Sequence, residues 1–368
     1  MKDILKLNEI SPLVKDVFAD KYQMVAESEN PEAIILRSFK MQGYVLPTSV
    51  KAIGRAGAGV NNIPCDEYGK QGVVVFNTPG ANANAVKELV IGSLFLASRG
   101  IAEGIAWSGN LSDGEKTVAE QVEKGKKSFG GCEILGKTLG IFGLGAIGRK
   151  VATSAKALGM KVIGFDPYFN GECDAQIVSS EEELYKNSDY ITFHLPLTES
   201  TRGMVNADAI SKMKQGVKIL NFSRGEVVNS ADIIFACETG RVGKYVCDFP
   251  TAEILNKKNI LTIPHLGAST EEAEDNCAVM VANQLVDFIE NGNITNSVNY
   301  PAVKLEEKFD SKVLVLFDAE KINADQIIAG FGAEKSSSGV RKTLGACLMG
   351  GKALVDFNAD GILKVYKF

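Results

Sequence analysis

Short apolar runs bounded by turn residues alternate with segments of helical period along almost all of the 368-residue chain. "AIILRS" (33–38), "VKAIGRAG" (50–57) and "GVVVFNTPG" (72–80) read as buried strands with short helices between them. From Asn84, "NAVKELVIGSLFLASRGI" predicts a long helix apolar enough to lie between two packed bodies. The polar stretch "SGNLSDGEKTVAEQVEKGKKS" reads as exposed helix or loop. From Thr138 the strand–helix alternation resumes, with strands expected at 139–142, 162–166, 190–194, 217–221, 245–249 and 260–264. Six such strands with intervening helices match a doubly wound, parallel α/β sheet. After His265, a Ser/Thr start followed by acidic residues opens a further helix, which Gly292 ends. Beyond Pro301, "KVLVLF", "ADQIIAGF" and "KALVDFNADGILKVYKF" form a small α+β module, the last segment reading as a hairpin that turns at Ala359, Asp360 and Gly361.

Composition narrows the classes. With 45% hydrophobic and 23% charged residues the chain is an ordinary globular protein, long enough for two or three domains. A net charge of −5 without a basic block gives no nucleic-acid footprint, so an anionic ligand would be held by local arginines. Charges interrupt every apolar run of "MKDILKLNEISPLVKD", so no leader or anchor is expected there, and no run reaches a membrane span. Seven scattered cysteines without a C-x-x-C pair, and only two histidines, point to reduced thiols in a cytoplasmic protein with no metal site.

In "GIFGLGAIGRK" the glycine cluster follows an apolar strand and opens a helix, and the next strand, "KVIGFD", ends in Asp166. Gly143 permits the tight turn, Gly145 lets the backbone approach a pyrophosphate, and Gly148 allows close helix–strand packing. The helix N-terminus offers free N–H groups to phosphates. A carboxylate at Asp166 accepts hydrogen bonds from ribose hydroxyls and repels a 2′-phosphate, which favours NAD over NADP.

Three polar residues fall at C-terminal ends of expected strands, where open α/β sheets place ligands: Arg224, Glu253 and His265. Hydride transfer from an alcohol carbon needs a base for the hydroxyl proton, and histidine titrates near neutrality. It also needs a cation to hold a carboxylate and polarise the forming carbonyl, for which arginine offers a planar fork of donors. A carboxylate beside the histidine would orient its ring. Glu253 taken alone is equally well a surface acid.

The order "GLGAIG…FDP…HLPLT…NFSRG…CDFPTAE…PHLGAST" resembles the D-isomer-specific 2-hydroxyacid dehydrogenase family over about residues 1–301. The resemblance implies a Rossmann NAD-binding domain (84–265) inserted in a flavodoxin-like substrate domain (1–83 and 266–301), with the active site in the cleft and 302–368 as a separate, possible ACT-like, module. It makes Arg224 the substrate-binding arginine, Glu253 the partner of the histidine and His265 the general acid/base. Ala146, Ile147, Asp166, Phe222, Ser223, Arg224, Asp248, His265, Leu266, Gly267 and Ala268 match positions that touch NAD. His194 and Leu195 match the nicotinamide side, although His194 equally suits a packed strand end. Arg37 and Arg55 match positions that hold the substrate phosphate in the phosphoglycerate enzymes of the family. A phosphorylated hydroxy acid is therefore the expected substrate, and a homodimer or homotetramer through the helix at 84–101 the expected assembly.

The chain departs from the family pattern in places. The proline that usually follows the glutamate is missing after Glu253, Ala58 stands where some relatives carry threonine, and the last module lacks an ACT-type ligand signature. Other D-2-hydroxyacid dehydrogenases, acting on D-glycerate or erythronate-4-phosphate, and an NAD-sensing regulator remain as alternatives.

Overall fold

The computed structural model describes all residues, 1–368, and the chain divides into two compact units: Met1–Asn82 with Glu271–Phe368, and Ala83–Thr270. The first unit begins with β1 (Lys2–Lys6), α1 (Val14–Phe18), β2 (Tyr22–Val25), β3 (Ala33–Leu36), β4 (Ala52–Arg55), α2 (Cys65–Lys70) and β5 (Val74–Phe76). These strands form a parallel sheet in the order β2-β1-β3-β4-β5. β3 is buried along its whole length, as a parallel strand covered on both faces requires. The first two strands gave no clear signal in the sequence because Lys2, Asp3, Lys6 and Gln23 interrupt their apolar positions.

The second unit contains α3 (Ala83–Ser98), α4 (Ile101–Ser108), α5 (Val118–Gly125), β6 (Thr138–Phe142), α6 (Ala146–Ala157), β7 (Lys161–Phe165), β8 (Gln176–Ile177), α7 (Glu181–Asn187), β9 (Tyr190–Phe193), α8 (Ala207–Lys212), β10 (Val217–Asn221), α9 (Ser230–Glu238), β11 (Val242–Cys247) and β12 (Ile260–Thr262). The sheet is parallel throughout, in the order β12-β11-β10-β9-β6-β7-β8. All six expected strands are present, and β8 adds a seventh that is too short to show a period. Alternation assigns side chains to two cores. Ile191, Phe193 and Ile219 pack on one face, and Tyr190, Leu139, Ile141 and Leu220 on the other with α3 and α6. The helix expected at 84–101 breaks at Arg99 and Gly100 into α3 and α4, bent by 74°. In the polar stretch that follows, α5 opens on a capping box of Thr117 and Glu120. No single helix is long and apolar enough to cross a membrane.

The chain then returns to the first unit through α10 (Glu271–Asn291), β13 (Ser311–Asp318), α11 (Ala324–Phe331), β14 (Lys335–Arg341), β15 (Leu344–Gly351) and β16 (Ile362–Lys367). The last four strands make an antiparallel sheet, β14-β15-β13-β16. Two expectations change here. First, the module after Pro301 is not a separate body. Leu314, Leu316, Ala346 and Leu348 join α10 residues Val281, Leu285 and Phe288 in one core, while Val313, Val315 and Phe317, on the other face of β13, pack on α11. Phe288 stacks edgewise on both Phe76 and Tyr366, with centroids 5.6 and 5.8 Å apart. Second, residues 352–361 do not form the first arm of a hairpin. β15 already has β14 and β13 on its two edges, so β16 adds to the open edge of β13, and the true hairpin turns at Lys342, with φ 53°.

Candidate functional site

The carboxyl ends of β6, β7, β9, β10 and β11 carry most of the residues singled out in the second unit. Gly143 adopts φ +85°, and a Cβ there would press on the His194 carbonyl, so glycine is needed where β6 runs beside β9. At Gly148 a Cβ would collide with the Gly143 carbonyl oxygen, whereas the space over Gly145 is open. Gly145 and Ala146 are exposed at the start of α6, whose first-turn N–H groups lack intrahelical partners. Asp166 stabilises this turn from the neighbouring strand end. Its Oδ2 accepts the Leu144 amide and its Oδ1 the Tyr168 amide, each at 2.9 Å. Each oxygen keeps a further lone pair for a ligand hydroxyl. An open glycine turn, free helix N–H groups and a strand-end carboxylate fit a dinucleotide.

Beyond β9, His194 is half-buried and Leu195 packs against the core. The imidazole Nε2 lies 3.1 Å from the Thr192 hydroxyl, Nδ1 is buried without a partner, and burial pushes the ring down to about 3. His194 is therefore neutral at physiological pH. After β10, Asn221 shapes the loop: its Oδ1 accepts the amide and hydroxyl of Ser223, and its Nδ2 donates to the Arg224 carbonyl at 2.9 Å. Phe222 is buried, and the half-buried Arg224 guanidinium donates to the Ser223 carbonyl at 2.6 Å.

His265 follows β12 and is exposed, with its backbone in the left-handed region at φ 46°. Its amide donates to the carbonyls of Asp248 and Ile263 at 3.1 and 2.9 Å, and its ring lies tilted by 53° against Phe249 with centroids 5.0 Å apart. Asp248 is 2% exposed. One carboxylate oxygen accepts the Gly267 amide at 3.3 Å and the other is unpartnered. Burial raises the Asp248 carboxyl above the usual range, against the pull of His265, the Gly267 amide and Arg224. Ala268 is half-buried in the turn that follows.

Glu253 is exposed in the turn between β11 and β12 and makes no ion pair with His265. The buried acid whose charge interacts with His265 is Asp248, at the end of β11. A pocket of about 410 Å³ opens beside this pair, lined by Gly225, Ser230, Tyr245, Asp248, Phe249 and His265.

In the first unit, Arg37 and Arg55 leave the ends of β3 and β4 side by side. Arg55 Nε donates to the Arg37 carbonyl at 3.2 Å. Gly57, at φ +146°, leaves room for the Arg55 guanidinium, which a Cβ would strike. Asn8 fixes the β3 exit by accepting the amides of Arg37, Ser38 and Phe39 at 3.2, 3.1 and 2.8 Å. The sequence reading missed Asn8, Asn221 and Thr192. Only Asn221, a turn-forming residue at a strand end in "NFSRG", carried a readable signal.

Residues 101–268 match the model for D-isomer specific 2-hydroxyacid dehydrogenase, NAD binding domain. D-3-phosphoglycerate dehydrogenase of Homo sapiens is 35% identical over 295 residues, 77% of this chain and 53% of that protein. The enzyme of that name from Bacillus subtilis is 33% identical over 324 residues, 83% of this chain and 60% of that protein. The chain thus spans little more than half the length of these relatives. Among solved structures, NAD⁺-bound 3-phosphoglycerate dehydrogenase of Entamoeba histolytica is 27% identical with a TM-score of 0.64, covering 81% of this chain and 98% of that one. A glyoxylate reductase from Paecilomyes thermophila is also 27% identical, with a TM-score of 0.68 over 81% of this chain and 98% of that one.

Proposed function

We propose that the chain, whose residues 101–268 match the NAD-binding domain of the D-isomer-specific 2-hydroxyacid dehydrogenases, is an enzyme of that family that oxidises 3-phospho-D-glycerate to 3-phosphohydroxypyruvate, the entry to the phosphorylated route of serine synthesis. The observation that carries this reading is the shared address of the chemistry. Arg224 and His265 follow the ends of β10 and β12 in the same sheet whose β6 end carries the glycine turn.

The turn from Gly143 to Gly148 and Asp166 would hold NAD, which when bound would accept the hydride from C2 of the substrate. The residues of the chain do the rest. Arg224 holds the substrate carboxylate and draws charge toward the forming carbonyl oxygen. His265 takes the hydroxyl proton as the carbonyl forms. Asp248 stabilises the resulting imidazolium, and Glu253 takes that part only if its turn moves toward His265. Phe222, Ser223, Leu195, Gly267 and Ala268 would wall the cofactor, and neutral His194 would present no charge to it. Arg37 and Arg55 bind the phosphate of the substrate, which distinguishes phosphoglycerate from D-glycerate.

A cytoplasmic homo-oligomer follows from the same reading. The test is an NADH-oxidation assay across 2-oxo acids with and without a terminal phosphate. A preference for 3-phosphohydroxypyruvate is expected. Activity confined to unphosphorylated acids would remove the phosphoglycerate assignment, and NADH binding without any reduction would favour a sensor.

A further inference from the structure

The two arginines of the first unit do not stand alone. Glu274, in the first turn of α10, places its Oε1 2.5 Å from Arg37 Nη1, and both side chains are partly open to solvent, at 45% and 36%. Arg55 is bound to the Arg37 carbonyl. One turn further along α10, buried Cys277 registers the same neighbourhood. Burial pushes its thiol up, Thr78, Arg55 and Arg37 draw it down, and Glu274 raises it. Thr78 is fully buried, and its amide donates to the Gly57 carbonyl at 3.2 Å. Two cations and one carboxylate therefore occupy one small region of the unit.

We infer that Glu274 sets the anion selectivity of the Arg37–Arg55 pair, its carboxylate occupying the edge of Arg37 that a phosphate takes. The inference rests on reading these arginines as the substrate's phosphate site. A phosphate dianion brings three acceptor oxygens and two charges, enough to displace one carboxylate from a guanidinium. A singly charged group does not gain enough by the exchange and is held weakly. Glu274 thus raises the threshold for binding, and it lowers the repulsion between two adjacent cations when no ligand is present.

Glu274→Gln keeps the shape and a carbonyl acceptor for Arg37 and removes only the charge. Binding is measured by calorimetric titration of the full chain with 3-phospho-D-glycerate and with inorganic phosphate, at two salt concentrations. For E274Q, the Kd of both falls by about two- to fivefold, the scale of a part-exposed ion pair. The salt dependence steepens, because the site then carries one negative charge fewer beside its arginines. The ratio of KM for phosphoglycerate to KM for D-glycerate falls with it. An unchanged or raised phosphate Kd in E274Q would overturn the inference, since the carboxylate would then serve only to hold Arg37 in place. Arg37→Ala separates this failure from that of the underlying reading. If R37A weakens phosphate binding while E274Q does not tighten it, only the role of Glu274 is lost. If R37A leaves phosphate binding unchanged, the phosphate site itself is wrong and both readings fall.

Discussion

His265 donates its backbone N–H to the carbonyl oxygen of Asp248 at 3.1 Å, so the candidate base is tied through the main chain to a buried strand-end acid. The left-handed φ of His265 and the Gly267 amide on the Asp248 carboxylate belong to the same turn. A strained backbone held by several hydrogen bonds is a common feature of residues that must point in one direction.

Asp248 is expected to serve function at the expense of stability. Its carboxyl is raised in the folded protein by burial, so folding favours the protonated form. The contribution it makes to stability is complete below the ordinary value of 3.8 and is lost as pH rises through the elevated folded value. Asp248→Asn should therefore raise the urea midpoint at pH 7, with the gain shrinking below pH 4, while kcat/KM falls. A midpoint at pH 7 equal to or below that of the unsubstituted protein would show that the charge is better satisfied than its unpartnered oxygen indicates.

Gly148→Ala tests the turn. The added methyl would meet the Gly143 carbonyl oxygen, so α6 must move off β6. Overpacking of this kind costs about 1–3 kcal/mol, and it should lower the thermal midpoint together with NADH affinity. Gly145→Ala is the control: the space over it is open, so stability should change little, and any loss of NADH fluorescence transfer then reports the approach of the cofactor. Equal thermal losses for both would mean that the helix–strand contact is not the limiting one.

The sheet of the second unit was legible because the glycine cluster, the strand-end Asp166 and six β-rich runs agree on one topology. The strand-end positions of Arg224 and His265 followed from the same pattern. Pairing was not legible. Glu253 and Asp248 are both acids after β11, and only the folded chain shows that the nearer one is buried beside His265 while the farther one is exposed. The same limit applies to the last module. The alternation in "KVLVLF" announces a strand but not that one face of it packs on α10 and the other on α11. Such facts depend on long-range packing, which a local period does not encode.

Arg55→Ala should raise KM for 3-phospho-D-glycerate far more than for D-glycerate, by about 10- to 100-fold if a charge-assisted bond of roughly 1.5–3 kcal/mol is lost. The guanidinium lies over Gly57 and bonds to the Arg37 carbonyl, so its removal also loosens the exit of β3. Arg55→Lys distinguishes the two effects. Lysine retains the charge without the fork, and should recover part of the phosphate discrimination while leaving the carbonyl bond unmade. A uniform rise in KM for both substrates in R55A would mean that Arg55 shapes the site and does not read the phosphate.

His194 should set the acid limit of the second unit. Burial lowers its imidazole from 6.5 to about 3, so folding favours the neutral ring. Its contribution is fully present above pH 6.5 and is lost as pH falls toward the folded value, because the unfolded chain takes up a proton that the folded one refuses. His194→Gln keeps a side chain able to bond the Thr192 hydroxyl and removes the titration. Denaturant midpoints of the parent should fall between pH 6.5 and pH 4 more steeply than those of H194Q. The two curves should differ least above pH 7. Parallel curves across that range would mean that the folded chain takes up the His194 proton as readily as the unfolded one, and its depressed titration would have to be given up.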